Sequence, residues 1–362
     1  MNLYLIFIVF FISILCSYIS NNNNKNYIYC GVSIMFSLLV GTRNISVPDT
    51  INYLDFYERI SFGNIEIMSY FSFEPGFQIL SQILKLLTVG NSILYFSFIS
   101  IINCILLFFS IKNFDQEDNF NPTLLLILYF SFFGLFYNAI VIRAGLAISV
   151  IIYTISLDYL SKRKTISKIK LKKIVLFIVA ISLHYSSVIG IMSYYIYKIP
   201  IKFTKNSYLI LWSIFFLLAL SNISELIVNS SIKLIISLFN LFEDTNFNKY
   251  SYYISDLYEL NNTLPYRVLF QFIIFLVCVL LKQNINSING RLLNIYLVGL
   301  ILSSLFFSIE QLSRITDYFL VYSSFCLYFF ISSNMASKKS ILIYLFSVLP
   351  NIIFFYRIIL SN

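Results

Sequence analysis

An all-α polytopic membrane protein is the fold class that three features of the sequence predict. First, 59% of the 362 residues are hydrophobic and only 11% are charged, against about 25% charged in soluble domains. Second, the apolar residues come in long unbroken runs, and the mean hydropathy is +0.83. Such runs cross a hydrocarbon core of about 30 Å as helices, whereas a transmembrane barrel shows short alternating segments. Third, the net charge of +9 is not spread evenly. Lys162, Arg163, Lys164, Lys168, Lys170, Lys172 and Lys173 fall together, with no acid among them, between two apolar runs. That is the positive-inside mark of a cytoplasmic loop, here 161–173. The basic balance therefore points to membrane orientation and not to nucleic acid.

Other classes of chemistry lack their signals. Cys16, Cys30, Cys104, Cys278 and Cys326 all lie in apolar segments without metal-ligand spacing, as small buried hydrophobes do. There is no phosphate-binding loop, no HExxH and no convincing G-x-S-x-G. A single histidine, His184, cannot build a histidine-rich metal site. No metal or cofactor is expected.

In order, the pattern predicts about eleven transmembrane helices in a single integral membrane domain. The first, 3–20, has no preceding base and no small-residue cleavage site, so it is expected to stay uncleaved. The second is 27–41. Residues 42–73 form a polar loop; through Glu74 they carry Asp49, Asp55, Glu58, Glu66 and Glu74 against Arg43 and Arg59, which places 42–90 outside. Within it, 76–90 alternates Ile79, Leu80, Ile83, Leu84 and Leu87 with Gln78, Ser81, Gln82 and Lys85. This is an amphipathic helix expected to lie in the outer interface. Further helices are predicted at 92–111 and over 123–160, the latter interrupted near Tyr137 and Asn138. Helix 174–197 follows the basic loop, and 207–222 comes next. An amphipathic stretch, 225–242, opens an acidic outer region, 223–264. The remaining helices are 265–282, 292–309, 314–333 and 339–359.

One helix has to break. If 174–197 crossed once, Lys198, Lys202 and Lys205 would face outside and the acidic 223–264 region inside, against the charge rule on both counts. A break around His184–Gly190 with a return removes both conflicts. Irregular backbone at that depth is tolerated only inside protein or beside a wet cavity.

Ionisable groups in such a chain are the candidates for chemistry. Counting back from Lys162 puts Arg143 about 28 Å away, at the outer end of its helix. Counting back from Lys338 puts Arg314 about 36 Å away, also at a helix start. Helix N-termini with an arginine suit phosphate oxygens, although an interfacial arginine also simply snorkels. His184 counts to about 16 Å above Lys173, well below Arg143. It suits proton transfer near neutral pH or a hydrogen bond to a neighbouring helix. Glu74, before Pro75 and Gly76, is either a helix-terminal carboxylate or a general base.

The ordered series GTRNISVPDTINYLDFY, FEPGFQILSQILK, IRAGLAISV, SLHYSSVIGI and LSRITDYF resembles the EpsG-type and Wzy-type polysaccharide polymerases over most of 42–320. Ala144 stands where that third motif usually carries glutamine. The resemblance implies a GT-C-like membrane glycosyltransferase that joins lipid-linked repeat units of O-antigen, capsule or exopolysaccharide. It implies a bacterial inner membrane protein whose site faces the periplasm or exterior. Donor and acceptor would both be undecaprenyl-diphosphate-linked glycans, with a flippase and a chain-length regulator as pathway partners. On that basis His184, Glu74, Arg143 and Arg314 are the expected catalytic residues, with Arg143 and Arg314 on the diphosphate. Arg43, Asp49, Tyr53 and Tyr318 would position the acceptor or the loop. Another GT-C glycosyltransferase, an O-antigen ligase and a flippase of lipid-linked glycans are the alternative functions.

Overall fold

The computed structural model describes residues 3–20, 23–63, 73–114, 121–163, 169–201, 203–221, 265–280, 287–307, 310–332 and 344–353. Among these residues every regular element is helical. Four helices are long and apolar enough to cross a membrane: Ser92–Phe114, Pro122–Ala139, Ile142–Leu160 and Leu312–Ser332. Shorter apolar helices accompany them, including Tyr344–Ile353. The chain is a helical, multi-pass membrane protein. It divides into two compact units, one of 1–195 with 327–362 and one of 196–326. The amphipathic stretch at 225–242 and the rest of 223–264 lie outside the described residues, as do 164–168 of the basic loop.

The first unit begins with α1 (Leu3–Ile19) and α2 (Lys25–Gly41). The 42–73 region, read from sequence as an unstructured polar loop, contains a helix, α3 (Thr50–Arg59). Its sequence, TINYLDFYER, is too polar to stand out as an apolar run. Tyr53 and Tyr57, one turn apart, nevertheless bury a common face. Then come α4 (Pro75–Leu87), α5 (Ser92–Phe114) and α6 (Pro122–Tyr129). A π-helical turn, Phe130–Gly134, joins α6 to α7 (Leu135–Ala139). The interruption expected near Tyr137 falls just after Ala139, and α8 (Ile142–Arg163) follows.

The core of this unit is a packed row of α2, α5, α8 and α9 (Ile169–Leu183). Small residues let the backbones close, as they do where lipid offers no hydrophobic drive. A Cβ on Gly41 would lie 2.6 Å from the Ile93 carbonyl oxygen of α5. One on Gly145 would lie 2.5 Å from the Tyr137 carbonyl oxygen. The Tyr29 hydroxyl donates to the Cys104 carbonyl at 2.5 Å and ties α2 to α5.

The break required by the charge rule is present. α9 ends at Leu183, residues 184–186 turn, and α10 (Ser187–Lys198) runs back. Its return is fixed by contacts: the Phe177 and Tyr194 rings lie 5.1 Å apart. The Tyr194 hydroxyl donates to Asp158 at 3.2 Å, and Lys173 pairs with the same Asp158 oxygen at 2.6 Å. Backbone bonds from Ser187 to His184 and from Val188 to Tyr185 close the turn, pairing carbonyls that lipid could not satisfy.

Helix α4 is polar toward the protein and apolar outward. Phe77, Gln78, Ser81 and Gln82 are buried, whereas Ile79, Ile83, Leu86 and Leu87 are exposed. Its inner face is pinned by polar contacts. Ser81 bonds the Tyr95 hydroxyl at 2.8 Å, and Lys85 donates to the carbonyls of Glu58 and Ile60 at the end of α3.

The second unit contains α11 (Lys205–Leu220), α12 (Tyr266–Leu280), α13 (Ser287–Phe306) and α14 (Glu310–Leu320). Tyr296 bonds Gln271 across α13 and α12, and Trp212 donates to the Phe272 carbonyl at 2.9 Å. Gly299 allows α13 and α14 to touch, since a Cβ there would lie 2.9 Å from the Leu320 nitrogen. The chain continues from α14 into α15 (Tyr322–Ser332).

Candidate functional site

Three elements of the first unit meet at Glu74. The carboxylate sits at the N-cap of α4, before Pro75, which suits a first helical position. His184 is the first residue beyond α9, and Arg143 lies in the first turn of α8. Glu74 Oε1 is 2.7 Å from His184 Nδ1, and Glu74 Oε2 is 2.5 Å from Arg143 Nη1. The Tyr185 amide also points at Oε1, at 3.4 Å.

What permits this meeting is Gly76. A Cβ at that position would lie 2.7 Å from Ser182 Cβ and 2.8 Å from its carbonyl carbon. Without a side chain, the start of α4 abuts the last turn of α9 and delivers Glu74 to His184. The role of Pro75-Gly76 is therefore to bring the acid close, beyond marking a helix start.

Arg143 is held on three sides. Besides the Glu74 pair, its Nε donates to the Tyr53 hydroxyl at 3.4 Å, and its guanidinium carbon lies 4.3 Å from the Phe73 ring centroid. Tyr53, Phe56, Phe73 and Phe77 form one aromatic cluster under it. Arg43 joins from the end of α2. Its Nη1 donates to the Asn138 carbonyl at 3.1 Å, and its guanidinium lies 3.6 Å over Phe96. Asn138 in turn accepts from Asn103 at 2.7 Å.

The charges are unequal in surroundings. Glu74 is only 6% exposed. Burial opposes its ionisation, but the His184 hydrogen bond and the Arg143 charge overcome that and hold its pKa at about 2. Burial pulls Arg43 down to about 10, partly offset by Tyr53, Tyr95 and Asp49. Burial raises the Tyr53 phenol against the opposing pull of Arg143. Asp49 is exposed, at the N-cap of α3, with a left-handed φ of 60° and no cap bond from its side chain. Glu74 thus bridges one histidine and one guanidinium, while Arg43 and Asp49 act electrostatically on Tyr53 and on each other. Among the described residues no group of three or more His, Cys, Asp or Glu side chains gathers to hold a metal ion.

His184 does not lie below Arg143, as the residue count from Lys173 implied; both reach the same carboxylate. The count was taken from the wrong plane. Lys173 is one turn inside α9 and paired with Asp158, which is itself about 6 Å along α8 from Lys162. The remaining difference of about 6 Å in helix rise is spanned by Glu74 and the long Arg143 side chain. No deep cavity is needed.

Six of the eight residues singled out from sequence, Arg43, Asp49, Tyr53, Glu74, Arg143 and His184, belong to this neighbourhood. Arg314 and Tyr318 lie on α14 of the second unit, where Arg314 is exposed and Tyr318 is buried. On the same helix Asp317, 2% exposed, pairs with Arg267 of α12 at 3.0 Å. Neither residue stood out from sequence, although an acid within an apolar span is itself a functional signal. Asn138 and Phe73 were also missed. Asn138 offers a backbone carbonyl, which has no signature in the side-chain sequence.

The EpsG family model matches residues 26–362. No curated protein and no solved structure matches the chain.

Proposed function

The chain belongs to the EpsG family, and on that footing we propose that it is a polysaccharide polymerase acting on lipid-linked glycans. The donor is an undecaprenyl-diphosphate-linked glycan and the acceptor a sugar hydroxyl of a second lipid-linked repeat unit, at the outer face of the bacterial cytoplasmic membrane. The reaction forms a C–O bond between the donor anomeric carbon and the acceptor oxygen. It breaks the bond from that carbon to the lipid diphosphate.

The observation that carries this reading is the Arg143–Glu74–His184 chain. An ionised carboxylate only accepts hydrogen bonds, so Nδ1 of His184 carries the proton toward Glu74. Nε2 is then the lone-pair nitrogen, positioned to take the acceptor proton as general base. Glu74, held near a pKa of about 2, is too weak a base for that task near neutral pH and acts as the orienting group. Arg143 shares its charge with Glu74 and offers its remaining guanidinium edge to the developing phosphate charge. Arg314 is the second candidate for the lipid diphosphate. Arg43, Asp49 and Tyr53 shape the neighbourhood of Arg143, and Tyr318 stays a candidate on α14.

The test replaces His184, Arg143 or Arg314 by Ala in cells that depend on this chain for surface glycan. A polymerase variant leaves single attached repeats and no long chains. Unchanged long chains at a normal protein level overturn the assignment. Loss of all attached glycan indicates a ligase, and precursors trapped on the inner leaflet indicate a flippase.

A further inference from the structure

We propose that Arg43 is a positioning residue of this site, acting through the 138–143 turn on Arg143 and, through Glu74, on His184. The inference rests on the reading above only in taking that cluster as the working site.

Arg43 stands just beyond the Thr42 C-cap of α2. Gly41 lets the end of α2 close onto α5, which brings the Arg43 guanidinium over Phe96 of α5 at 3.6 Å. From there Nη1 reaches the Asn138 carbonyl at 3.1 Å. That carbonyl is in the last turn of α7, where helix geometry leaves acceptors without an onward partner. The Asn138 side chain is fixed as well. Its amide nitrogen donates to the Gly134 carbonyl at 2.7 Å, at the end of the π-helical turn, and its oxygen accepts from Asn103 of α5. The chain then breaks and restarts as α8, whose second residue is Arg143. Gly145 packs against the Tyr137 carbonyl with no room for a Cβ. A turn so held transmits displacement of Asn138 directly to Arg143.

The same residue is a poor device for stability. The residue is 8% exposed, and among the described residues neither Nε nor Nη2 has a hydrogen-bond partner. No carboxylate makes an ion pair with it among the described residues, and burial depresses its pKa to about 10. Burying a cation with incomplete pairing costs free energy that an apolar side chain would not. A residue kept there for packing alone would be Met or Leu.

The experiment exploits the single histidine. Nitrogen-15 histidine labelling of the full chain in detergent yields one imidazole, whose tautomer and pH titration are followed directly. Arg43→Met is expected to melt no lower than the unmodified protein. It should shift the His184 imidazole signals and reduce long-chain glycan by roughly tenfold or more, as small misplacements of reacting groups do. Arg43→Lys and Arg43→Gln retain a donor for the Asn138 carbonyl and should return the imidazole signals toward the original. Arg43→Leu, which also lacks a donor, carries the test if the Met variant does not fold. An unchanged His184 signal and titration in Arg43→Met, or in Arg43→Leu in its place, overturns the proposal, whatever happens to the glycan. A shifted His184 signal with normal long chains upholds the positioning role and instead refutes the assignment of the cluster as the polymerase site.

Discussion

Glu74→Gln removes one charge and almost no volume, so it isolates what the carboxylate does. In the native site Oε1 accepts from His184 and Oε2 from Arg143. Ionisation is opposed by burial and favoured by those two partners, and the balance moves the pKa from 4.5 to about 2. At about 1.4 kcal/mol per unit, that coupling of charge to fold is worth roughly 3 kcal/mol. Removing one member of a buried pair gives a cost of similar size, about 3–5 kcal/mol, because Arg143 is left uncompensated. For a unit of this size the melting temperature should fall by roughly 6–20 °C, measured as loss of the monodisperse protein on heating in detergent. The amide has a second consequence. If its oxygen stays on Arg143, its NH2 group faces His184 Nδ1, which must then accept. The proton moves to Nε2, and the nitrogen that faced the acceptor hydroxyl becomes a donor. The nitrogen-15 spectrum should show this tautomer exchange, and long-chain glycan should fall by about 10²–10⁴-fold, the usual contribution of a general base. A variant with an unchanged melting temperature and the original tautomer would refute both the electrostatic and the catalytic argument.

Two further outcomes follow from the same geometry. Gly76→Ala forces a Cβ into the Ser182 backbone and side chain; it should destabilise by about 1–3 kcal/mol and weaken the His184–Glu74 bond in the spectrum, with partial recovery in Gly76→Ala/Ser182→Gly. A melting temperature equal to that of the unmodified protein would show that α4 does not depend on that approach. The acid limb of stability should also carry the Glu74 signature. Because its folded pKa is depressed, its contribution is fully present above about pH 4.5 and is lost as the pH falls toward 2. Melting temperatures between pH 5 and pH 3 should therefore decline less steeply in Glu74→Gln than in the unmodified chain.

The four long helices, Ser92–Phe114, Pro122–Ala139, Ile142–Leu160 and Leu312–Ser332, were legible because lipid imposes a simple rule on sequence. The reversal at 184–186 was legible for a different reason: charge on either side of a helix constrains its parity. By contrast, α3 was hidden because it is half polar and its burial depends on Tyr53 and Tyr57 meeting α4 and α5. Glu74, Arg143 and His184 could be chosen individually, since ionisable groups are rare in such a chain. Their meeting could not be foreseen by helix rise, because lysines were taken as markers of the water boundary. Lys173 is instead drawn inward by Asp158, and that displaces the whole scale. Arg43 was placed near the acceptor from its motif alone. Its actual partners, a backbone carbonyl and the face of Phe96, leave no trace in residue type. The Arg267–Asp317 pair was within reach of the same rule that selected His184, but only Arg314 and Tyr318 beside it drew notice.

The two-sided character of α4 bears on how the chain is assembled. Glu74 precedes its histidine by 110 residues and its arginine by 69. During synthesis the acid is made long before either partner exists, and an unpaired carboxylate cannot be stored in hydrocarbon. A helix with Ile79, Ile83, Leu86 and Leu87 on one side and Gln78, Ser81 and Gln82 on the other can wait at the bilayer surface, acid in water and leucines in lipid. Once α8 and α9 have inserted, its polar side can turn onto them. Glu74 can therefore meet His184 only once α9 has been made, 110 residues after the acid itself.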